Sequence, residues 1–405
     1  MHGVRSIGIR QSRIRSTFVT VQIALSLVLL TGAGLMVKSF LRMQSVDTGY
    51  DAEGLVTMTV DLPRSSYPDP DRARQFHGEL LERLDGIPGV RTAGAISFRP
   101  MAGVGIMGNF TVEGETPLPR GYSVDKPTVS PGYFAAMGIR VLSGRAFTAR
   151  DDADSPGVVI VSETVAERVW PNDDAVGRRI SMRDRPAAGD WLTVIAVVND
   201  IVQDGTMGRR STVYLPYLQT NLLPFIDHMT FVVRSDLGTA SVAPAMRAAL
   251  RNVDPAVPAQ ALQTMDEAML EVIAEPLFQA RLLTTFSLLA LLLAAIGTYG
   301  VLAYDVAERT REIGIRMALG AESARVLRMV MGRALVLAGC GVAIGGLGAL
   351  ATTHVLSRYL FGVRATDPAT FGTTAAVLTM VALAAGLVPS RRASRVDPMV
   401  ALRNE

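Results

Sequence analysis

Four stretches of this chain carry no charged residue for about the ~20 residues that an α-helix needs to cross the core of a bilayer. They are 16–37, 282–304, 334–357 and 369–390. In lipid a backbone polar group finds partners only within its own segment, so each run is expected as a helix. With 49% hydrophobic and 19% charged residues, and a mean hydropathy of +0.29, the chain is too apolar for a soluble protein. It is also too polar for a bundle that lives wholly in lipid. A few membrane helices joined to one large soluble domain satisfy both figures.

The first run follows Arg5, Arg10, Arg13 and Arg15. A secretory signal peptide has a shorter apolar core and an A-x-A cleavage site behind it. This run is longer and no such site follows, so an uncleaved anchor helix over 16–41 is expected. Arginine marks the cytoplasmic side of short loops. Arg309, Arg311, Arg316, Arg325 and Arg328 follow the second run, and Arg391, Arg392, Arg395 and Arg403 follow the fourth. The loop after the third has only Arg358 and Arg364.

The expected order is a cytoplasmic segment (1–15), a first span (16–41) and an extracytoplasmic domain (44–276). A second span (282–304) leads into a cytoplasmic segment that begins the third helix (305–333). The third span (334–357), a short outer loop (358–368), the fourth span (369–390) and a cytoplasmic tail (391–405) complete it. Lys38 and Arg42 at the far end of the first span run against the arginine bias, and snorkelling absorbs them.

The third run holds Gly341 and Gly345 at G-x-x-x-G spacing within "GCGVAIGGLGAL". Small residues at that spacing let two helices approach closely in lipid. The partner is either another helix of the same chain or a second copy.

The outer domain reads as α+β. "GLVTMTVDL" (54–62) alternates like a half-buried strand. A helix follows over 68–90, with Asp69 as N-cap, Phe76, Leu80, Leu81 and Leu84 on one face, and "GIPG" as its stop. "RTAGAISF" and "MTFVVRS" read as strands, and "SVAPAMRAALRNVDP" and "MDEAMLEVIAE" as helices. A β-α-β unit at one end thus matches β-α at the other. Between them, over about 117–220, the texture changes to short strands and turns around one clear helix, "SETVAERVW". This predicts a split domain with an inserted subdomain.

Catalytic patterns are missing from the sequence. Its one cysteine, Cys340, excludes an intramolecular disulfide and a cysteine metal cluster. His2, His77, His228 and His354 show no ligand spacing. Neither lysine, Lys38 nor Lys126, follows a glycine-rich loop, so there is no Walker A motif. "GVGIMG" (103–108) matches G-x-G-x-x-G but lacks the strand before it and the helix after it, and reads as a loop. Glu163, Glu167, Asp173 and Asp174 read as a solvated helix face and turn rather than an acid/base pair. No cofactor, metal or nucleic acid is expected, and no enzyme activity of the chain's own.

The segment between the second and third runs is different. In "ERTREIGIRMALG" (308–320), Glu312 and Arg316 form an i,i+4 pair in the favourable order. Val306, Thr310, Ile313 and Met317 fall on one helical face, with Arg309, Glu312 and Arg316 beside it, and Gly320 as a stop. The charges either fix topology at a membrane surface or present a docking surface to a cytoplasmic partner.

"YGVLAYDVAERTREIGIRMALGA" (299–321), together with "RRASRVDPMVALRNE" (391–405), resembles the FtsX-like permease module of MacB-type ABC transporters. "VSPGYFAAMGIRVLSGRAF" (129–147), "VVIVSETVAERVWP" (158–171) and "LTVIAVVNDI" (192–201) resemble the MacB periplasmic core domain. "VQIALSLVLLTGAGLMVKSF" (21–40) resembles the first span of the duplicated, two-unit permeases of this class. The resemblance implies one helix, a large outer domain with a porter-like split subdomain and an insert, then three helices.

It also implies a separate nucleotide-binding ABC ATPase subunit that engages the cytoplasmic segment. Glu308, Arg309, Arg311, Glu312, Ile313, Gly314, Arg316, Leu319 and Gly320 are the implied contacts. Work would be done by mechanotransmission: ATP-driven closure inside moves the outer domains, and no substrate passes between the helices. The two-unit permeases carry the module twice, and this chain carries it once. It is therefore expected as a half-size permease that forms a homodimer or pairs with another half, or as part of a longer chain. Efflux with a periplasmic adaptor is one expectation. The alternatives are a non-transporting membrane scaffold that regulates an extracytoplasmic enzyme, or an inactive half of a two-unit permease.

Overall fold

The computed structural model describes residues 2–44, 47–100, 105–114, 122–204, 208–310, 315, 323–356, 360 and 363–393. Two compact units emerge: Met1–Ser45 with Glu275–Glu405, and Val46–Ala274.

The membrane unit is built on four helices, His2–Gln44, Met265–Glu308, Ser323–Leu356 and Pro368–Ala393. Each holds an apolar segment of 25 to 35 residues, long enough to cross a bilayer: Ile14–Arg42, Ala274–Glu308, Ala324–Thr352 and Pro368–Arg392. One helix therefore precedes the outer domain and three follow it.

The sequence separates a helix at 265–275 from the span at 282–304, but Met265–Glu308 is one helix with Pro276 inside it. Charge-free runs mark where lipid is tolerated, not where hydrogen bonding ends. Glu271, Glu275, Gln279 and Arg281 are good helix formers and carry the helix past both expected limits.

In the outer unit, strands Leu55–Asp61, Val90–Ile96, His228–Ser235 and Ala259–Thr264 alternate with helices Pro70–Asp85 and Thr239–Val253. Across the sheet the strands run Ala259–Thr264, Leu55–Asp61, His228–Ser235, Val90–Ile96, each antiparallel to its neighbour. Two β-α-β units are thus interleaved, the split arrangement of ferredoxin-like domains. The final strand, "AQALQT", was not legible in the sequence. It is a half-exposed edge strand with no β-branched residue before its last position.

The helix over Pro70–Asp85 starts as its sequence demands. The Asp69 carboxylate accepts from Arg72 N at 2.9 Å, and Pro70 takes the first turn. Its buried face is Ala73, Phe76, His77, Leu80 and Leu84. His77 donates through Nε2 to Ile226 O at 2.7 Å, and burial lowers its pKa to about 4 against that bond.

Strand Leu55–Asp61 is not half-buried. Its first six residues are all buried, because both faces are covered. Val56, Met58 and Val60 pack with Phe76, Leu80, Met246 and Leu250 of the two helices. On the other face Leu55 packs with Tyr133, Phe134 and Met137. The buried hydroxyls there are paired: Thr57 Oγ1 donates to Gln263 O at 3.1 Å, and Thr59 and Thr230 hydroxyls bond at 3.0 Å.

The chain between the two halves, 97–227, builds a second subdomain, and the expected insert over about 117–220 falls inside it. Strand Val158–Ser162 runs parallel to Leu192–Val198 and antiparallel to Val213–Pro216. Helix Glu163–Val169 covers them, with Val165 and Val169 packed among Val159, Val161, Val194 and Trp170. The short strand Thr128–Val129 lies between Val90–Ile96 and Val213–Pro216 and joins both parts into one 11-stranded sheet. Of the "GVGIMG" stretch, Met107–Gly108 is a two-residue strand paired with Val124–Asp125; 103–104 lie outside the described residues.

Candidate coupling surface of the membrane unit

The first membrane helix is the one the others pack on, with half of its apolar window buried. Glycines set how closely they come. A Cβ at Gly341 would stand 2.6 Å from Ile23 Cγ2, and one at Gly345 would stand 2.7 Å from Ala24 O and 2.9 Å from Leu27 Cβ. Both glycines of the G-x-x-x-G pair therefore face the first helix of their own chain. At Gly34 of the first helix a Cβ would meet Thr370 Cγ2 at 2.9 Å, and at Gly297 of the second it would meet Gln22 Oε1 at 2.7 Å. Backbones this close gain dispersion contacts that lipid tails do not offer.

At the end of the second helix from which the candidate segment departs, Asp305 is buried and pairs with Arg333 Nε of the third helix at 2.8 Å. The Arg15 guanidinium of the first helix lies over the Tyr304 ring, 4.1 Å from its centroid. Val306 packs against Leu302, Val330 and Ala334 on one side and Val326 and Met329 on the other. Three helices are thus fastened beneath the start of the segment.

Glu308 and Arg309 are exposed there, and the Thr310 hydroxyl donates back to Val306 O at 2.9 Å. Arg311, Glu312, Ile313, Gly314, Arg316, Leu319 and Gly320 lie outside the described residues, as does the Glu312–Arg316 pair.

At the opposite end of the bundle Lys38 is not merely snorkelling. Its Nζ donates to Asp367 Oδ2 at 2.7 Å. Asp367 also caps the fourth helix, accepting from Thr370 N at 3.1 Å and Thr370 Oγ1 at 2.6 Å. Lys38 and then the Thr370 hydroxyl hold the Asp367 pKa down to about 2. Deeper in, the Thr31 and Thr374 hydroxyls bond at 3.2 Å. Sequence reasoning passed over these pairs. The signal was there, since Arg15, Lys38, Asp305, Arg333 and Asp367 each border an apolar run. Read one helix at a time, such charges mark orientation; only the packed helices pair them with one another.

The outer-domain segments quoted above for their resemblance prove to be fold determinants. Asn199 Nδ2 donates to Gly49 O at 2.7 Å, and its Oδ1 accepts from Arg140 N at 2.6 Å. Asp200 accepts from Thr164 N at 3.0 Å and Thr164 Oγ1 at 2.5 Å, which fixes the start of helix Glu163–Val169. Gly144, at φ +81°, sits where a Cβ would lie 2.0 Å from Ile195 O. Next to it Arg145 grips Asp151 through two bonds of 2.8 and 2.7 Å. That guanidinium, helped by Thr148, holds the Asp151 carboxyl below the usual range against its own burial. Of the four suspected carboxylates, Glu167, Asp173 and Asp174 are exposed and Glu163 is half-buried; Asp173 pairs with Arg178 at 2.9 Å. Among the described residues no group of three metal-ligating side chains converges.

Two families match in tandem. The MacB-like periplasmic core domain aligns with residues 20–253, and the FtsX-like permease C-terminal module with residues 284–398. The macrolide export ATP-binding/permease protein MacB of Mannheimia succiniciproducens is 26% identical over 285 residues, covering 67% of this chain and 42% of that protein. MacB of Hahella chejuensis is 28% identical over 293 residues, covering 70% and 43% respectively. The pyoverdine export ATP-binding/permease protein PvdT of Pseudomonas savastanoi pv. phaseolicola is 27% identical over 278 residues, covering 65% and 40%. The chain spans less than half the length of these relatives. The crystal structure of the periplasmic region of MacB from Actinobacillus actinomycetemcomitans superposes with a TM-score of 0.33 at 13% identity, over 52% of this chain and 89% of that one.

Proposed function

The chain belongs to the family of FtsX-like permeases with a MacB-like periplasmic core domain, and from that premise we propose that it is the transmembrane subunit of an ABC transporter driven by a separate nucleotide-binding subunit. One observation carries the reading: both modules match in tandem, along a chain whose bilayer-length helices fall in 1+3 order around a large α+β domain. It is a multi-pass membrane protein with a large extracytoplasmic domain. In the proposed arrangement both termini and the 305–333 segment face the cytoplasm of the inner membrane, in line with the arginine bias.

ATP-driven closure of the partner moves the exposed start of the coupling segment at Glu308 and Arg309. The Asp305–Arg333 pair and the Val306 contacts pass that displacement to the second and third helices together. The outer domain then performs the work, for which efflux is the proposal because the relatives quoted are named as exporters. The chain acts as a homodimer or beside a second permease half, and an extracytoplasmic adaptor extends the path.

The test is co-expression with ATPase subunits from the same genome and purification on a tag, repeated with Glu312→Arg plus Arg316→Glu. An ATPase should co-purify with the wild type, and the swap should weaken its capture on the order of tenfold or more. If no ATPase binds the intact chain, the coupling reading fails. A membrane scaffold that regulates an extracytoplasmic enzyme then takes its place.

A further inference from the structure

The membrane unit carries a groove of about 480 Å³ at the end of the bundle where the first helix leads into the outer domain. Its floor is the first helix, from Leu30 to Leu41. Thr284 and Ser287 of the second helix form one wall, and Thr373 of the fourth forms the other. From Leu30 to Leu41 a helix rises about 16 Å, half of the ~30 Å hydrocarbon core. The groove is therefore one leaflet deep, on the side of the outer domain.

Its lining offers an occupant apolar contact and little else. The hydroxyls of Thr284, Ser287 and Thr373 donate within their own helices, to Ala280 O at 2.7 Å, Leu283 O at 2.6 Å and Ala369 O at 2.8 Å. Helices that associate in lipid use small residues or hydroxyls, and here those are already engaged. Gly34 stands so close to the fourth helix that a Cβ would meet Thr370 Cγ2 at 2.9 Å. The rim is bulky, with Leu41 and Leu288 each 58% exposed. Spread over its depth, the volume leaves a cross-section of about 30 Å², whereas a helix with its side chains is about 10–12 Å across. An extended hydrocarbon chain fits where a helix does not.

The mouth carries the charge for a phosphate. Lys38 and Arg42 lie one turn apart on the same face of the first helix. Among the described residues at this end of the unit, four cations, Lys38, Arg42, Arg281 and Arg364, stand beside two carboxylates, Asp367 and Glu275. Lys38 is paired with Asp367, but an ammonium has three donors, and its side chain remains 35% exposed.

We propose that this groove holds one phospholipid of the leaflet next to the outer domain, with a single acyl chain along the first helix and the phosphate beside Lys38 and Arg42. The lipid fills the gap between the second and fourth helices. The site is independent of the transport reading.

The test is native mass spectrometry of the full chain, purified in detergent and titrated with phosphatidylglycerol. One lipid per chain should persist after the excess is removed. Diacylglycerol with the same chains lacks the phosphate and glycerophosphoglycerol lacks the chains, and each should bind at least about tenfold more weakly. Thr284→Leu and Thr373→Leu put bulk into the groove and should each weaken retention at least about fivefold. Thr373 is exposed, so leucine there displaces no core residue. Val336→Leu, at a position 64% exposed on the third helix, controls for added bulk and should leave retention unchanged. Lys38→Arg keeps the charge and should retain the lipid. Equal retention by the wild type and both groove-filling variants overturns the proposal. So does a wild-type dimer that those variants split with no loss of lipid, which would give the groove to a second copy.

Discussion

Phe134 and Phe286 are the same residue in two solvents. Phe134, in the outer domain, is 1% exposed and meets Tyr214 edge-on at 5.0 Å and Tyr133 at 5.6 Å. Phe286, on the second membrane helix, is 52% exposed. In the outer domain, water drives large side chains inward, and Tyr133, Tyr214, Phe134 and Phe231 are among the largest fully buried. In the membrane unit, lipid is as apolar as any core, so bulky side chains such as Phe286 can face outward, and the closest contacts inside set Gly341 and Gly345 against the fully buried Ile23 and Leu27. One half is organised by what it hides and the other by how closely backbones approach.

The contrast can be broken in three ways. The largest effect is expected from Phe134→Ala, which should cost about 3–5 kcal/mol, while Phe286→Ala should stay within about 0.5 kcal/mol. Denaturant unfolding of the purified chain in detergent compares them, and equal costs would dissolve the distinction.

Next is a pH effect confined to the outer domain. His77 titrates at about 4 when folded and near 6.5 when unfolded. Between those values the unfolded state holds more protons, so stability falls as pH drops from about 6.5 and is fully present above it. The loss should approach on the order of 3 kcal/mol near pH 4, and unfolding midpoints across pH 4–7 should flatten in His77→Gln.

The smallest effect tests the membrane side. Gly345→Leu should cost about 2–3 kcal/mol by overpacking against Ala24 and Leu27. Gly346→Leu, where a Cβ meets only Leu27 Cδ2 at 4.0 Å, should cost less than about 1 kcal/mol. A sodium dodecyl sulfate titration followed by far-UV dichroism ranks the pair, and the opposite order would place the seam elsewhere.

Much of the architecture was legible because two simple periodicities dominate. Charge-free runs exposed the four membrane helices, and the 3.6-residue pattern after Asp69 exposed the first outer helix with its cap. What failed to read did so for physical reasons. "GLVTMTVDL" looks half-buried because threonines alternate with larger residues, and only the tertiary structure reveals Thr57 and Thr59 satisfied within a two-sided core. The Met265–Glu308 helix looked divided because Pro276 and nearby charges interrupt its apolar run, though not its helical path. The candidate coupling surface was legible as a pattern of charge between two spans. Its anchoring by Asp305 and Arg333 was not, since that pairing joins residues of two helices. The stretches that carry the family resemblance also hold the outer domain together. Asn199, Asp200 and Arg145 sit in those stretches, and each holds a neighbouring segment in place, Arg145 through Asp151.

The seam at Thr128–Val129 has a mechanical meaning. Leu55–Asp61 and His228–Ser235 are registered over seven residue pairs, whereas the link from Val90–Ile96 to Thr128–Val129 has a single pair, Ile96↔Val129. Around it, Ser97 N donates to Thr128 O and Ser130 N to Ala95 O, while the Ser97 and Ser130 hydroxyls accept from Thr128 N and Ala95 N. Two of those four bonds therefore end on rotatable side chains rather than on a rigid ladder. Where the ladder is this thin, the hold between the two subdomains rests on the core they share, in which Leu55, Ile96 and Val232 cluster with Ile160, Val198 and Tyr214.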